Sequence, residues 1–311
     1  IDPETEIVVT CGSTEAMMAT MLSITNPGDK VVIFSPFYEN YGADTILSGA
    51  EPIYVPLVPP EFHFDKEKLE DAFRQGAKAL ILCNPSNPCG KVFTMEEMQT
   101  IAELAKKYDA YVVTDEVYEH IVYAPYKHIY MQSLEGMRER TIVCNSLSKT
   151  YSITGWRLGY VIANPQIIDR VKKVHDFLTV GAAAPLMEAA VVGLEFGDGY
   201  YDELAAHYAH MKEVFVGGLE KLGLKYTDPQ GAYYVLVDVS EFGVKDDVKF
   251  CEWLAQYVGV AAVPGSSFFR EDVNNLIRFH FAKQDDTLNE AINRLAGLRK
   301  AVAEAGDVEW R

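Results

Sequence analysis

The chain has 311 residues, of which 49% are hydrophobic and 23% charged, a balance typical of a soluble globular protein with one large or two medium domains. This composition excludes intrinsic disorder, collagen-like repeats and a disulfide-rich miniature scaffold. With 28 basic and 45 acidic residues, the net charge of −17 disfavours binding to nucleic acid or to an anionic membrane.

The first two thirds of the sequence alternate short apolar runs with amphipathic stretches. The runs are rich in Val and Ile and show little polar alternation, which is typical of strands buried on both faces of a parallel sheet. The predicted strands are residues 7–10, 31–34, 52–55, 79–83, 110–114, 141–145 and 158–162. The predicted helices between them are residues 14–23, 66–74, 94–107 and 165–177.

The pattern changes after Gly199, where a predicted helix at residues 200–222 begins a smaller unit. This unit continues with a strand at 232–239, a helix at 247–257, a strand at 277–281 and a helix at 285–303. The whole predicts an α/β fold, with a mainly parallel seven-stranded sheet sandwiched by helices and a smaller C-terminal α+β domain. We expect a large domain at residues 1–199 and a small domain at 200–311 that includes the connecting helix.

The cysteines and histidines indicate neither disulfides nor a metal. Five scattered cysteines without a C-x-x-C pair are typical of free thiols in a reducing compartment, so we expect a cytoplasmic protein. His207 and His210 lie one helical turn apart without a further ligand at metal spacing, which predicts a helix surface and no metal site. The apolar stretch 180–194 is interrupted by Pro185 and Glu188, and it is too short for a membrane helix.

The densest chemical signal surrounds Lys149, which follows a predicted hydrophobic strand in a serine-rich turn. Arg157 stands eight residues later, between Gly155 and Gly159. Strand ends in such sheets face the ligand crevice, and a lysine desolvated there near a cation becomes a nucleophile for carbonyls. An ordinary solvated lysine explains neither the neighbouring hydroxyls nor the spaced arginine.

The same segment, Ser146-Leu-Ser-Lys149, also fits the S-x-x-K motif of penicillin-binding enzymes. That family requires a K-T-G-type strand, which this sequence lacks, and it places S-x-x-K first in the chain. The sequence therefore disfavours this interpretation.

Two other predicted strand ends carry polar side chains. Asp115 ends one strand, with Tyr118 three residues on, and a buried carboxylate is costly unless it meets a cation. An isolated Asp in this position is otherwise a helix N-cap. Asn84 and Asn87 each precede a proline, which favours extended geometry and predicts either an ordinary turn or an amide presented to a ligand.

Ser13 and Thr14 stand where a strand passes into a helix. Free N–H groups and the positive end of the helix dipole suit a phosphate at such a point, although Ser and Thr also cap helices generally. The sequence contains neither G-x-G-x-x-G nor a Walker A motif, which disfavours a dinucleotide or triphosphate site.

Read together, these segments resemble the class I/II aminotransferases, a family of fold type I pyridoxal-phosphate enzymes. The family's lysine signature is met at every position from Ser146 to Gly159. It is joined in the expected order by T-x-G-S-T-E-A, S-P-F-Y-x-x-Y, N-P-x-N-P-x-G, T-D-E-x-Y and I-R-F-H-F-A. The resemblance covers essentially the whole chain and implies pyridoxal phosphate as cofactor and a homodimer with its sites at the subunit interface.

The resemblance also implies a role for each residue. Lys149 binds the cofactor covalently and moves the substrate Cα proton, Asp115 pairs with the pyridine nitrogen, and Tyr118 donates to the ring 3-oxygen. Arg278, with Asn87, binds the substrate α-carboxylate. The implied cofactor-binding residues are Ser13, Thr14, Tyr38, Asn87, Asp115, Tyr118, Ser146, Ser148, Lys149 and Arg157. Apolar neighbours flank Arg157 and Arg278, so we expect both to be partly buried.

The implied reaction moves an amino group between an L-amino acid and a 2-oxo acid such as 2-oxoglutarate by a ping-pong mechanism. The donor would be aromatic, neutral or aspartate. The alternatives are a pyridoxal-phosphate-dependent C–S β-lyase on the same scaffold and a non-enzymatic sensor or inactive remnant that binds the cofactor. The family's N-terminal stretch, which clamps the substrate, is nearly all missing from this sequence, and we expect a processed or shortened form.

Overall fold

A computed structural model describes residues 1–306 and 308–311 of the chain. The larger sheet consists of β1 (Ile7–Thr10), β2 (Lys30–Ser35), β3 (Glu51–Val58), β4 (His63–Phe64), β5 (Ala77–Cys83), β6 (Tyr111–Asp115), β7 (Thr141–Ser146) and β8 (Gly159–Ile162). The smaller sheet consists of β9 (Lys225–Tyr226), β10 (Tyr234–Asp238), β11 (Val263–Pro264) and β12 (Leu276–His280). The helices are α1 (Gly12–Ile24), α2 (Asn40–Leu47), α3 (Lys66–Arg74), α4 (Met95–Lys107), α5 (Pro165–Leu178), α6 (Ala184–Leu194), α7 (Asp198–Lys221), α8 (Asp247–Trp253), α9 (Asp285–Leu295) and α10 (Leu298–Glu304).

The larger sheet has the strand order β1-β8-β7-β6-β5-β2-β3-β4. Strands β7, β6, β5, β2 and β3 pair in parallel, while β1, β8 and β4 join their neighbours antiparallel. The predicted mainly parallel α/β sheet is therefore confirmed, and each of the seven predicted strands is present. The eighth strand, β4, has only two residues and is too short to leave a pattern in the sequence.

The central strands are buried on both faces, which explains why they lack polar alternation. Along β5 and β6, Leu80 and Val112 join one hydrophobic cluster, and their neighbours Ile81 and Val113 join another. Successive side chains of a strand point to opposite faces, so each face carries its own apolar layer under helices. Each fully buried aliphatic side chain stabilises the fold by about 1.5–3 kcal/mol.

The smaller sheet is antiparallel, in the order β11-β12-β10-β9. Its core includes Phe215 and Leu219 of α7, but also Tyr118 and Ile121 from the chain segment after β6. The two units therefore share an apolar interface. The predicted boundary at 199/200 falls in the first turn of α7, and the division into two domains stays a prediction.

Several helices differ from their sequence-based predictions. The helix predicted at 285–303 is two helices, α9 and α10, separated at Ala296 and Gly297, because glycine weakens a helix interior. Helices α2 and α6 were not predicted. Within the described part of the chain, no helix combines the length and the apolar character needed to cross a bilayer.

The region around α6 exposes large apolar side chains. Phe177 is 91% exposed and Val180 78%, and Val192 and Leu194 on α6 itself are 61% and 57% exposed. These residues are close together in the sequence, and contiguous exposed apolar surface usually marks a face that another molecule covers.

Candidate active site

The carboxyl ends of the central strands β5, β6 and β7 lie side by side on the same side of the larger sheet. Their register places Cys83, Asp115 and Cys144 side by side, so the segments that follow these strands converge. A cavity of about 190 Å³ opens there. It is lined by all ten residues that the sequence predicted to bind a cofactor: Ser13, Thr14, Tyr38, Asn87, Asp115, Tyr118, Ser146, Ser148, Lys149 and Arg157. The structure brings them together, and their individual roles stay predictions.

The turn after β7 presents Lys149 to this cavity. Ser148 donates its backbone N–H to the Ser146 hydroxyl at 3.2 Å, and the Thr154 hydroxyl donates to the Ser148 carbonyl at 3.2 Å. Burial lowers the pKa of the Lys149 ammonium; the charge of Asp115 opposes this shift and that of Arg157 reinforces it. The environment therefore shifts Lys149 toward the neutral amine, which is the nucleophilic and proton-accepting form.

Asp115 is a buried carboxylate, 7% exposed, at the end of β6. Its Oδ2 accepts from the Tyr41 hydroxyl at 2.6 Å, and its Oδ1 accepts from the Val117 N–H at 3.3 Å. Burial nevertheless raises the pKa of Asp115, and these two hydrogen bonds only oppose that shift. The helix-cap interpretation is wrong, because the residues after Asp115 form a turn. A cation placed beside this carboxylate would stabilise its charged form.

The start of α1 and Arg157 form a positively charged end of the cavity. Arg157 donates from Nη2 to the Thr14 hydroxyl at 3.4 Å and from Nη1 to the Thr154 carbonyl at 3.0 Å. Cys11, at the N-cap, contributes no side-chain hydrogen bond to α1 among the described residues, which leaves the first-turn N–H groups for a ligand. The expectation that Arg157 is partly buried is wrong: its side chain lies at the open rim and is exposed.

Two glycines permit this close arrangement. Gly12 has a φ of +81°, and a Cβ there would lie 2.5 Å from Arg157 Nη2. A Cβ on Gly159 would lie 2.4 Å from the Gly12 carbonyl carbon, so β8 packs directly on the start of α1. Gly12 is therefore restricted by backbone conformation as well as by space, and Gly159 is restricted by space alone.

Arg278 lies on β12, half-buried, at a neighbouring cavity of about 440 Å³. Its Nη1 donates to Asn87 Oδ1 at 2.6 Å. Its guanidinium carbon lies over two aromatic rings, 4.3 Å from the centre of Phe268 and 4.4 Å from that of Tyr234. The predicted Asn87–Arg278 pair is thus assembled, and the two cavities share Lys149 and Tyr234 in their walls.

Sequence reasoning missed two tyrosines of the site. Tyr41 bonds to Asp115, and the Tyr234 hydroxyl lies 3.0 Å from that of Tyr118. Tyr41 ends the S-P-F-Y-x-x-Y motif, so its place in a motif was the available signal. Tyr234 stands in a run of apolar and aromatic residues that is equally typical of an ordinary core strand.

A cluster of three potential metal ligands lies directly after Asp115 in the chain. Glu116, Glu119 and His128 bring one ligand atom each to within 4.8 Å of one another. These groups bond to protein partners: His128 Nε2 lies 3.3 Å from Glu116, and Asn145 Nδ2 donates to Glu119 at 2.7 Å. Since Asn145 also accepts from the Ser146 N–H, the cluster anchors the start of the turn that carries Lys149.

Comparison with known proteins gives a consistent result over nearly the whole chain. The sequence profile of aminotransferase class I and II matches residues 1–295. The chain is 36% identical to a probable N-succinyldiaminopimelate aminotransferase of Mycobacterium tuberculosis, over 97% of this chain and 79% of that protein. It is 34% identical to kynurenine–oxoglutarate transaminase 3 of Rattus norvegicus, over 94% and 71% of the two chains. A solved methionine aminotransferase of Escherichia coli superimposes with a TM-score of 0.91 at 33% identity, over 95% of this chain and 78% of that one.

The substitution Gly12→Ala tests the positively charged end of the cavity. The new methyl group would displace the Arg157 guanidinium, and charge-assisted hydrogen bonds to a phosphate are worth about 1.5–3 kcal/mol each. We expect the dissociation constant for pyridoxal phosphate, measured by absorbance after dialysis, to rise at least about tenfold. Gly76→Ala is the matched control, because Gly76 has a φ of +84° and nothing within 4 Å of the added Cβ. If the two variants bind pyridoxal phosphate equally well, the positively charged end of the cavity is not where its phosphate binds.

Proposed function

We propose that this chain, which belongs to the class I and II aminotransferase family, transfers an amino group between an L-amino acid and a 2-oxo acid by a ping-pong mechanism that uses pyridoxal phosphate. The family match makes the chain an aminotransferase. One observation carries the rest of the proposal: the ten predicted cofactor residues line a single cavity, which adjoins the Arg278–Asn87 pair.

The donor set of the cavity fits pyridoxal phosphate. Arg157 and the start of α1 suit a phosphate, Lys149 has the lowered pKa of a carbonyl nucleophile, and Asp115 is a buried carboxylate that a pyridinium would neutralise. When bound, this cofactor supplies an aldehyde that takes up the amino group and a ring that accepts electrons from the substrate Cα. The family to which the chain belongs is pyridoxal-phosphate-dependent, which supports the same choice.

The protein's own groups would divide the proton chemistry between them. Lys149 Nζ, whose pKa burial lowers, accepts the proton from the substrate Cα as a neutral amine and later returns it. Asp115 holds a proton at the pyridine nitrogen, and Tyr41 orients its carboxylate. Tyr118 donates to the oxygen of the cofactor ring.

Arg278 supports recognition of the substrate α-carboxylate. Its planar fork matches a carboxylate in two hydrogen bonds. Asn87 accepts from one nitrogen of the guanidinium, and the rings of Phe268 and Tyr234 both pack against the group. The carboxylate would therefore meet a cation whose plane is already set, which reduces the entropy lost on binding.

Among the donors considered, aromatic and other large neutral amino acids fit best, with 2-oxoglutarate as the acceptor. The wall of the 440 Å³ cavity includes Tyr208, Tyr233 and Tyr234, which offer apolar faces and hydroxyls to a side chain. The similar proteins themselves differ in substrate, being named for N-succinyldiaminopimelate, kynurenine and methionine.

A half-reaction assay tests the proposed function. Adding L-phenylalanine alone should convert the absorbance of the bound cofactor to that of its aminated form, and 2-oxoglutarate should restore it. Borohydride reduction and peptide mapping should place the cofactor on Lys149, and Lys149→Ala should show neither result. Labelling of a different lysine would contradict the site. Pyruvate release from cystathionine without an added oxo acid would instead favour the β-lyase alternative.

Substitutions of the two arginines separate cofactor binding from substrate binding. Truncating one side of a buried charge pair costs roughly 2–5 kcal/mol, so Arg278→Leu should slow the half-reaction about 10²-fold or more while the cofactor stays bound. Arg157→Leu should weaken cofactor retention, and excess cofactor should partly restore activity. Amines that lack a carboxylate should be far less sensitive to Arg278→Leu.

Arg270→Leu is the matched control for these two variants. Arg270 also stacks on aromatic rings, 4.7 Å from Tyr54 and 5.7 Å from Phe37, and its side chain lines neither cavity. We expect near-normal half-reaction rates in this variant. If Arg278→Leu releases the cofactor, or slows amines and amino acids equally, the carboxylate role is wrong.

We infer a cytoplasmic homodimer. The exposed apolar side chains around α6, among them Phe177 and Val192, support a self-association surface, and five free cysteines support a reducing compartment. Sedimentation equilibrium should give twice the chain mass, and Val192→Glu should shift the protein toward monomer. Val58→Glu is the control, since Val58 is 59% exposed and lies on β3, next to the edge strand β4 of the larger sheet. A monomeric parent protein would refute the inference.

A further inference from the structure

Tyr234 contacts both the predicted substrate-binding group, Arg278, and the predicted cofactor-binding group, Tyr118. Its ring lies 4.4 Å from the Arg278 guanidinium, which is the predicted carboxylate-binding group. Its hydroxyl lies 3.0 Å from the Tyr118 hydroxyl, in the wall of the cofactor cavity. Tyr234 lines both cavities, so one side chain connects the two groups.

The pairing of β10 with β12 sets this geometry. Tyr234 is paired with His280, and Leu236 is paired with Arg278. Tyr234 and Arg278 are therefore diagonal neighbours on the same face of the sheet, a spacing that aromatic and long side chains can bridge. The ring of Tyr118 also packs edge-on against Tyr234, with the ring centres 5.9 Å apart and the two hydroxyls 3.0 Å apart.

We propose that Tyr234 is a positioning residue that acts on both groups, its ring holding Arg278 for the substrate carboxylate and its hydroxyl directing the Tyr118 hydroxyl toward the cofactor. This inference rests on the proposed function. A hydroxyl has one hydrogen to donate. When Tyr234 donates to the Tyr118 oxygen, the Tyr118 hydrogen is free for the cavity, and a chain of hydrogen bonds strengthens each donor in it.

The two contacts predict different losses in two variants. Tyr234→Phe keeps the ring against Arg278 and removes only the hydroxyl. Tyr234→Leu removes the ring as well, which leaves Arg278 with Phe268 as the remaining one of these two aromatic contacts. A merely structural tyrosine would show neither pattern.

The ring contact is tested on the holoenzyme with 3-phenylpropionate, an unreactive carboxylate, and with its neutral amide. Cation–π contacts of this kind are worth roughly a 3- to 30-fold change in affinity. Isothermal titration should show the Kd of 3-phenylpropionate rising about tenfold in Tyr234→Leu and staying near the parent value in Tyr234→Phe. The amide should be affected much less, because it lacks the charge that Arg278 recognises.

The hydroxyl contact is tested by titrating the absorbance of the bound cofactor against pH. A hydrogen bond from Tyr118 stabilises the anionic form of the cofactor oxygen. Weaker donation by Tyr118 should therefore raise the pKa of the pH-dependent absorbance change. Tyr234→Phe should raise this pKa by about half a unit to one unit. In a Tyr118→Phe background, Tyr234→Phe should cause no further change in this pKa. That result would show that Tyr234 acts on the cofactor through the Tyr118 hydroxyl.

Tyr108→Phe is the matched control. It also loses a tyrosine hydrogen bond, to Glu70 at 2.9 Å, but its side chain lines neither cavity. If both Tyr234 variants behave like Tyr108→Phe, or if the shifts persist without Tyr118, the inference is overturned. Failure of the parent protein to bind pyridoxal phosphate would overturn the proposed function instead, so the two failures are distinguishable.

Discussion

The site depends on opposite charges held out of water at the carboxyl edge of the larger sheet. Asp115 is buried by strands on both sides, and Lys149 is partly buried in the turn beyond the neighbouring strand. Burial disfavours the charged form of each group, while each group favours the charge of the other. Their reactivity therefore follows from desolvation by the parallel sheet, whose apolar layers exist for stability.

A strongly acidic protein can carry the site proposed for an anionic cofactor because its cations are concentrated locally. Its net charge is −17, yet Arg157, Lys149 and Arg278 line the two connected cavities together with the positive end of α1. Local geometry determines this potential, because exposed charges farther away than about a Debye length are screened by salt. Glycine at positions 12 and 159 allows the backbone and the guanidinium to approach closely enough.

Much of the fold could be predicted because the strands of a parallel sheet leave a strong pattern of uninterrupted Val and Ile. The short strands β4, β9 and β11 have two residues each and leave no such pattern. Exposure was less predictable: apolar neighbours suggested that Arg157 is partly buried, but of the two residues beside it Leu158 alone is buried, while the Arg157 side chain is exposed. Neighbours along the chain do not determine where a long, flexible side chain points.

The sequence by itself determined the order and chemistry of the motifs, and with them the family, the cavity residues and the mainly parallel sheet. Each of those signals is local, because a strand end, a tight turn or a helix start is encoded within a few residues. Only the tertiary structure brought Tyr41 to Asp115, 74 residues away, and Tyr234 to Tyr118, 116 residues away. Such contacts arise where separate elements pack: the motif marks Tyr41 without naming its partner, and the pattern around Tyr234 is the same for a core residue and for a residue of the site.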